Sequence, residues 1–197
     1  MSIAQIPIAQ CGVGTAYASY TTAKSVIPLS AVAKIPANTL YVGKRFRITA
    51  WMAQKNLVTA QCQFTYQVMG GPTSNIILWQ SGALLSTTTA HTGIPCFVQV
   101  DLRCATIGAG TTANFSATGV VNCIALVYAG AVADPTAGLT PLICPNANYA
   151  TPSSGAAGFN STVDTVLDFF VGIQTSDPGN GVQIYDYTVE DLNGSGL

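Results

Sequence analysis

Arg45-Phe46-Arg47-Ile48-Thr49-Ala50-Trp51-Met52 alternates without a break. Successive side chains of a strand point to opposite faces, so Phe46, Ile48, Ala50 and Met52 form an apolar face, with Arg45, Arg47, Thr49 and Trp51 opposite. This is the pattern of a half-buried strand. Gln61 to Val68 repeats it, as does Cys96 to Cys104, and in both the cysteines fall on the apolar face. Further strand candidates are Gln5 to Ala9, Asn75 to Gln80, Ala113 to Val121, Ile124 to Tyr128, Thr165 to Ile173 and Val182 to Leu192. Turn signals separate the runs: Gly70-Gly71-Pro72, Gly108-Ala109-Gly110 and Asp177-Pro178-Gly179-Asn180-Gly181. The last predicts a C-terminal hairpin over residues 165–192. No stretch combines a 3.6-residue period with helix caps, so little helix is expected. The chain reads as all-β, a single antiparallel β-sandwich or jelly roll of about eight to nine strands.

A length of 197 residues suits one such domain. Two segments lack clear periodicity. The first is residues 10–40, with Gly12, Gly14, Pro28 and Pro36, and residues 1–39 read as an extended N-terminal arm preceding a sandwich over residues 40–197. Within the sandwich, residues 129–160 carry four prolines and many small residues, the composition of a long loop.

Charged residues make up only 8% of the chain, against about 25% in an ordinary soluble domain. Such a surface has little charge to resist association, which suits a subunit packed into an assembly. The few charges are unevenly placed. Six of the seven basic residues (Lys24, Lys34, Lys44, Arg45, Arg47, Lys55) precede Asp101, and all eight acids lie from Asp101 to Asp191. That asymmetry either closes within the domain or faces a partner of opposite sign.

The longest apolar stretch, Cys123 to Ala133, falls short of the ~20 residues of a membrane-spanning helix. The N-terminus lacks the basic and apolar regions of a signal peptide, so synthesis in a cytoplasm is expected. Six cysteines include no C-x-x-C pair, which disfavours structural zinc. They read as buried thiols or as disulfides closed after release into an oxidising environment.

Motifs that carry chemistry are sparse. His91, the sole histidine, lies between strand candidates with neither a Gly-x-Ser-x-Gly elbow nor a local acid, and reads as an exposed loop residue. Asp164 and Asp168 share a predicted strand face, as do Asp186 and Glu190; a glycosidase pair must instead face a cleft. Both pairs read as solvated faces. Asp177 to Gly181 lacks calcium-loop spacing. Lys44, Arg45 and Arg47 with Tyr41 and Trp51 form a small basic and aromatic patch. Three cations and a pI near 5.5 make it a solvated strand face or a protein contact rather than a nucleic-acid site. Asn114, Asn160 and Asn193 begin glycosylation sequons that mean little without a secretory leader. Gly108-Ala-Gly-Thr-Thr lacks the lysine of a phosphate loop. No cofactor or metal is expected.

Tyr41-Val-Gly-Lys-Arg-Phe-Arg-Ile-Thr-Ala-Trp51, Leu78-Trp-Gln-Ser-Gly-Ala-Leu84, Asp101-Leu-Arg-Cys-Ala-Thr-Ile-Gly-Ala-Gly-Thr111 and Tyr187-Thr-Val-Glu-Asp-Leu-Asn193 occur in that order. Together they resemble small β-rich virion structural proteins of tailed bacteriophages, over about residues 40–120 and the C-terminal hairpin. The resemblance implies a non-enzymatic jelly-roll subunit of the virion, assembled in the host cytoplasm and expected as a homotrimer. Its first expected role is capsid decoration, a cement protein binding the major capsid protein or neighbouring subunits. The alternative is a tail or fibre module that recognises a host receptor or glycan. A glycan-active enzyme using Asp164 or Asp168 is the third reading. Lys24, Lys34, Lys44, Arg45 and Arg47 are candidate docking residues. Cys11 and Cys144, in irregular segments, are candidates for inter-subunit disulfides. Neither nucleic acid nor membrane is expected as a partner.

Overall fold

The computed structural model describes residues 6–14, 16–18, 22–56, 62–86, 89–123, 126–128, 142–145, 158–174 and 177–193. Among these residues are fourteen strands: β1 (Ile6–Cys11), β2 (Tyr17–Ala18), β3 (Lys24–Ser25), β4 (Ala33–Ile35), β5 (Arg45–Asn56), β6 (Gln63–Gly70), β7 (Ile76–Gln80), β8 (Leu84–Ser86), β9 (His91–Thr106), β10 (Asn114–Cys123), β11 (Leu126–Tyr128), β12 (Leu142–Pro145), β13 (Thr165–Ile173) and β14 (Gly181–Asp191). The described helix is one 3-10 turn, Leu29–Ala31. A first sheet runs β1-β14-β5-β9-β10-β12, with β2 beside β14. A second runs β11-β8-β6-β13-β3, with β4 also on β13 and β7 on β6. Every pairing is antiparallel.

Alternation along β5 explains the sandwich. Phe46, Ile48, Ala50 and Met52 are buried while the residues between them stay at least partly open. The same period sends Val98, Val100 and Leu102 of β9 and Ile184, Tyr187 and Val189 of β14 into the core. The second sheet answers with Phe64, Tyr66 and Val68 of β6 and Leu167, Phe169 and Val171 of β13. Trp79 of β7 is also fully buried. Its indole lies over Gly119 of β10, where an added Cβ would come within 2.3 Å of the ring.

All nine strands expected from periodicity are present, six of them longer at one end or both. The others were hidden by brevity: β2, β3, β4 and β8 span two or three residues each, too few to display a period. β12 falls inside the segment read as a loop over 129–160 and pairs with β10; most of that segment lies outside the described residues. The described strands of the N-terminal segment hydrogen-bond to their own chain. β1 and β2 lie on β14, and β3 and β4 on β13.

Three residues depart from the reading of the sequence. Asp168, expected on a solvated face, is buried, because β13 is covered on both sides at that point by Ser25 and Ser74. Lys44, expected to dock on a partner, is 1% exposed and closes on Asp191. His91 is the half-buried first residue of β9, opposite Asn56.

Candidate recognition surface

The outward face of the first sheet is assembled row by row from four long strands. Asp186 of β14, Trp51 of β5, Phe97 of β9 and Asn122 of β10 are register neighbours. The next outward row is Thr188, Thr49, Gln99 and Val120; the following one is Glu190, Arg47, Asp101 and Thr118. A last row holds Arg45, Arg103 and Ser116. Because all these side chains stand on paired backbone, their spacing is set by the sheet rather than by loop conformation.

One end of this face is aromatic. Trp51 remains 49% exposed although its ring centroid lies only 4.5 Å from that of Phe97, at an interplanar angle of 45°. Tyr185, 51% exposed, is the extra residue of a bulge between Ile184 and Asp186. A bulge re-aims the side chain that it carries. Beside these rings a hollow of about 210 Å³ is lined by Ala53, Lys55, Gly93, Gln183 and Tyr185, among others. Large aromatic rings left open on a rigid sheet mark interaction surfaces more often than isolated apolar residues do.

The other end is charged, and one of its arginines is paired on the sheet face. Arg47 donates through Nε and Nη2 to the two carboxylate oxygens of Asp101, at 2.8 and 3.2 Å. That hydrogen bond, with the charges of Asp101 and Glu190, raises the Arg47 pKa although partial burial opposes it. Lys44 Nζ lies 2.6 Å from Asp191 Oδ2 in the core, and Lys55 Nζ donates to the carbonyl of Pro178. Two of the six early bases, Lys44 and Arg47, are thus paired with later acids within one subunit.

The predicted docking residues are not brought together. Lys24 and Lys34 are exposed on β3 and β4 of the second sheet. Arg45 and Arg47 belong to the outer face of the first, and Lys44 is enclosed. Trp51 stands six residues from Arg45 along the twelve-residue β5, so the basic and aromatic patch read from sequence is stretched over about half the strand. Cys11 is half-buried on β1, and Cys144 lies in β12, at opposite ends of the strand order. Burial and the charge of Asp186 push the Cys11 thiol up. The side chain of Cys144 lies outside the described residues.

The carboxylates weighed for catalysis have structural partners. Asp168 accepts from Ser25 Oγ at 2.7 Å, Ser74 Oγ at 3.1 Å and the Phe169 amide at 2.7 Å. Burial raises its pKa, and these three donors act against that rise. Asp164 is exposed and accepts from the Ala37 amide at 2.9 Å. Among the described residues no group of three His, Cys, Asp or Glu side chains is placed to hold a metal ion.

Alternation placed Trp51 on the outer face, yet Phe97, Tyr185 and Arg103 were missed as its companions. Phe97 and Arg103 had the same outward parity, but only the strand order reveals that β9 lies beside β5. Tyr185 was hidden by the bulge, which shifts the period.

No protein-family model matches the chain, and no curated protein does. Among solved structures it is similar to the CBM2 module of the evolved Dit of phage J-1 of Lactobacillus casei BL23. The identity is 11% over 96% of each chain, with a TM-score of 0.37.

Proposed function

We propose that this chain is a non-enzymatic structural component of a bacteriophage virion. It serves there as a tail or fibre recognition module that binds carbohydrate on the outer face of its first sheet. One observation carries the reading: Trp51, about half exposed, packs at a tilt against the half-buried Phe97 in the middle of long, well-paired strands. The rings offer flat apolar area against which the C–H face of a sugar can lie. Around them Asp186, Asn122, Thr49, Gln99 and Gln183 supply the polar atoms that orient hydroxyl groups. The virion setting rests on the sequence resemblance and on the low charge content.

Capsid cement, the first expectation from sequence, has less support. It relied on free basic residues for docking, and Lys44 and Arg47 are engaged by Asp191 and Asp101. Quantitative mass spectrometry of the purified particle separates the two roles. A tail or fibre module is expected at a few to a few dozen copies per particle, and several hundred copies would restore the cement reading.

A further inference from the structure

Arg45 and Arg103 are direct register partners on β5 and β9. Like charges opposite one another on a sheet face repel. Among the described residues neither guanidinium has an ion-pair partner. The nearby carboxylate of Asp101 is already gripped at both oxygens by Arg47. The two arginines flank a groove of about 570 Å³ whose walls also include Gly43, Asp101, Ser116 and Thr118. Two forked donors with free charge, beside two exposed hydroxyl side chains, match the planar or tetrahedral oxygens of a carboxylate or phosphate. Such an anion removes the conflict that the register otherwise imposes.

We infer that this groove is an anion site, and that it takes the acidic group of a polysaccharide whose uncharged rings lie along the same face toward Trp51 and Phe97. The six-residue step from Arg45 to Trp51 on β5 spans roughly 20 Å at the strand rise of about 3.3 Å per residue. That distance is within reach of a short oligosaccharide. The polysaccharide part rests on the carbohydrate reading above, whereas the anion site stands on the arginine pair alone.

Side-chain Nε–H resonances of the arginines, followed by NMR during titration with inorganic phosphate, sodium galacturonate, polygalacturonate or neutral dextran, test both parts. Arg45 and Arg103 are expected to shift saturably with galacturonate, while Arg47, held by Asp101, does not. Polygalacturonate is expected to bind at least about tenfold more tightly than the monomer, because further rings engage the aromatic end. Arg103→Gln, at an exposed position, is expected to weaken polygalacturonate by about tenfold or more, the usual loss for a hydrogen bond to a charged group. Trp51→Ala is expected to remove the advantage of the polymer and spare the monomer. Weak linear shifts spread over all surface cations, or unchanged binding by Arg103→Gln, overturn the anion site. Saturable phosphate binding without any response to galacturonate or polygalacturonate overturns the acidic-sugar assignment. Full polymer affinity in Trp51→Ala, with loss in Arg103→Gln, overturns the carbohydrate face and leaves the groove standing. Dextran binding as tight as polygalacturonate also overturns a role for the arginines.

Discussion

Lys44 Nζ donates to Asp191 Oδ2 at 2.6 Å, with both side chains sealed from solvent. The contact ties the start of β5 to the end of β14, and Asp191 also accepts from the Asn193 amide at 3.0 Å. It converts the most evident sequence feature, bases early and acids late, into an internal clamp. Removing one partner of a buried pair leaves a charge without compensation, which typically costs about 3–5 kcal/mol. Lys44→Met alone is therefore expected to lower the urea midpoint sharply, and Lys44→Met with Asp191→Leu to recover much of the loss. Equal losses in the single and double variants would show that the charge is not what matters there.

Asp168 gives a prediction in pH. Burial holds its folded pKa above the ordinary value of 3.8, so the folded state binds its proton more readily than the unfolded chain does. Its contribution to stability therefore falls as pH rises from about 3.8 through the raised value, and is restored as pH falls. Asp168→Asn keeps an acceptor for Ser25 and the Phe169 amide while its amide group can donate to Ser74 Oγ. The variant is expected to fold and to lack this fall, as read by urea unfolding of both proteins from pH 4 to pH 7. A pH profile identical to that of the parent would contradict the assignment.

Gly119 lies against the indole of Trp79. An added methyl has no space to enter, and overpacking of this kind typically costs about 1–3 kcal/mol. Gly119→Ala is expected to lower stability by that order and to alter the fluorescence of Trp79. Gly93→Ala is no control, because its φ of +73° would strain alanine in its own right. Val120→Ala, on the outward side of the same strand, serves instead and is expected to change stability by less.

Cys96 and Cys123 are register partners on β9 and β10 and are both buried. A hydrogen bond between the thiols, followed by burial, raises the Cys96 pKa well above its usual value. The thiolate is the reactive form. Iodoacetamide is thus expected to leave Cys96 unmodified in native protein and to label it after unfolding. Native labelling would mean that β9 and β10 open readily.

How much of this was legible beforehand follows from physical range. Period-2 alternation is local, so β5, β6, β9, β13 and β14 could be read directly, and with them the outward parity of Trp51, Arg45 and Arg47. Strand order is not local. That Trp51 meets Phe97, and Arg45 meets Arg103, depends on which of many similar strands lie side by side. The burial of Asp168 and Lys44 depends on what covers the far face of a strand, which alternation does not encode. The bulge at Tyr185 has no sequence signal of its own, since neither glycine nor proline marks it.

The central claim is that the open face around Trp51 recognises carbohydrate. A glycan array probed with the parent protein and with the Trp51→Ala, Phe97→Ala double variant tests it most directly. The cross-strand pair contributes only about 0.2–1 kcal/mol to the sheet, so the double variant is expected to remain folded by circular dichroism. The parent is predicted to bind a defined set of glycans, and the folded variant to lose that set. A parent protein that binds nothing on the array, or a variant that retains the same glycans, would contradict the account.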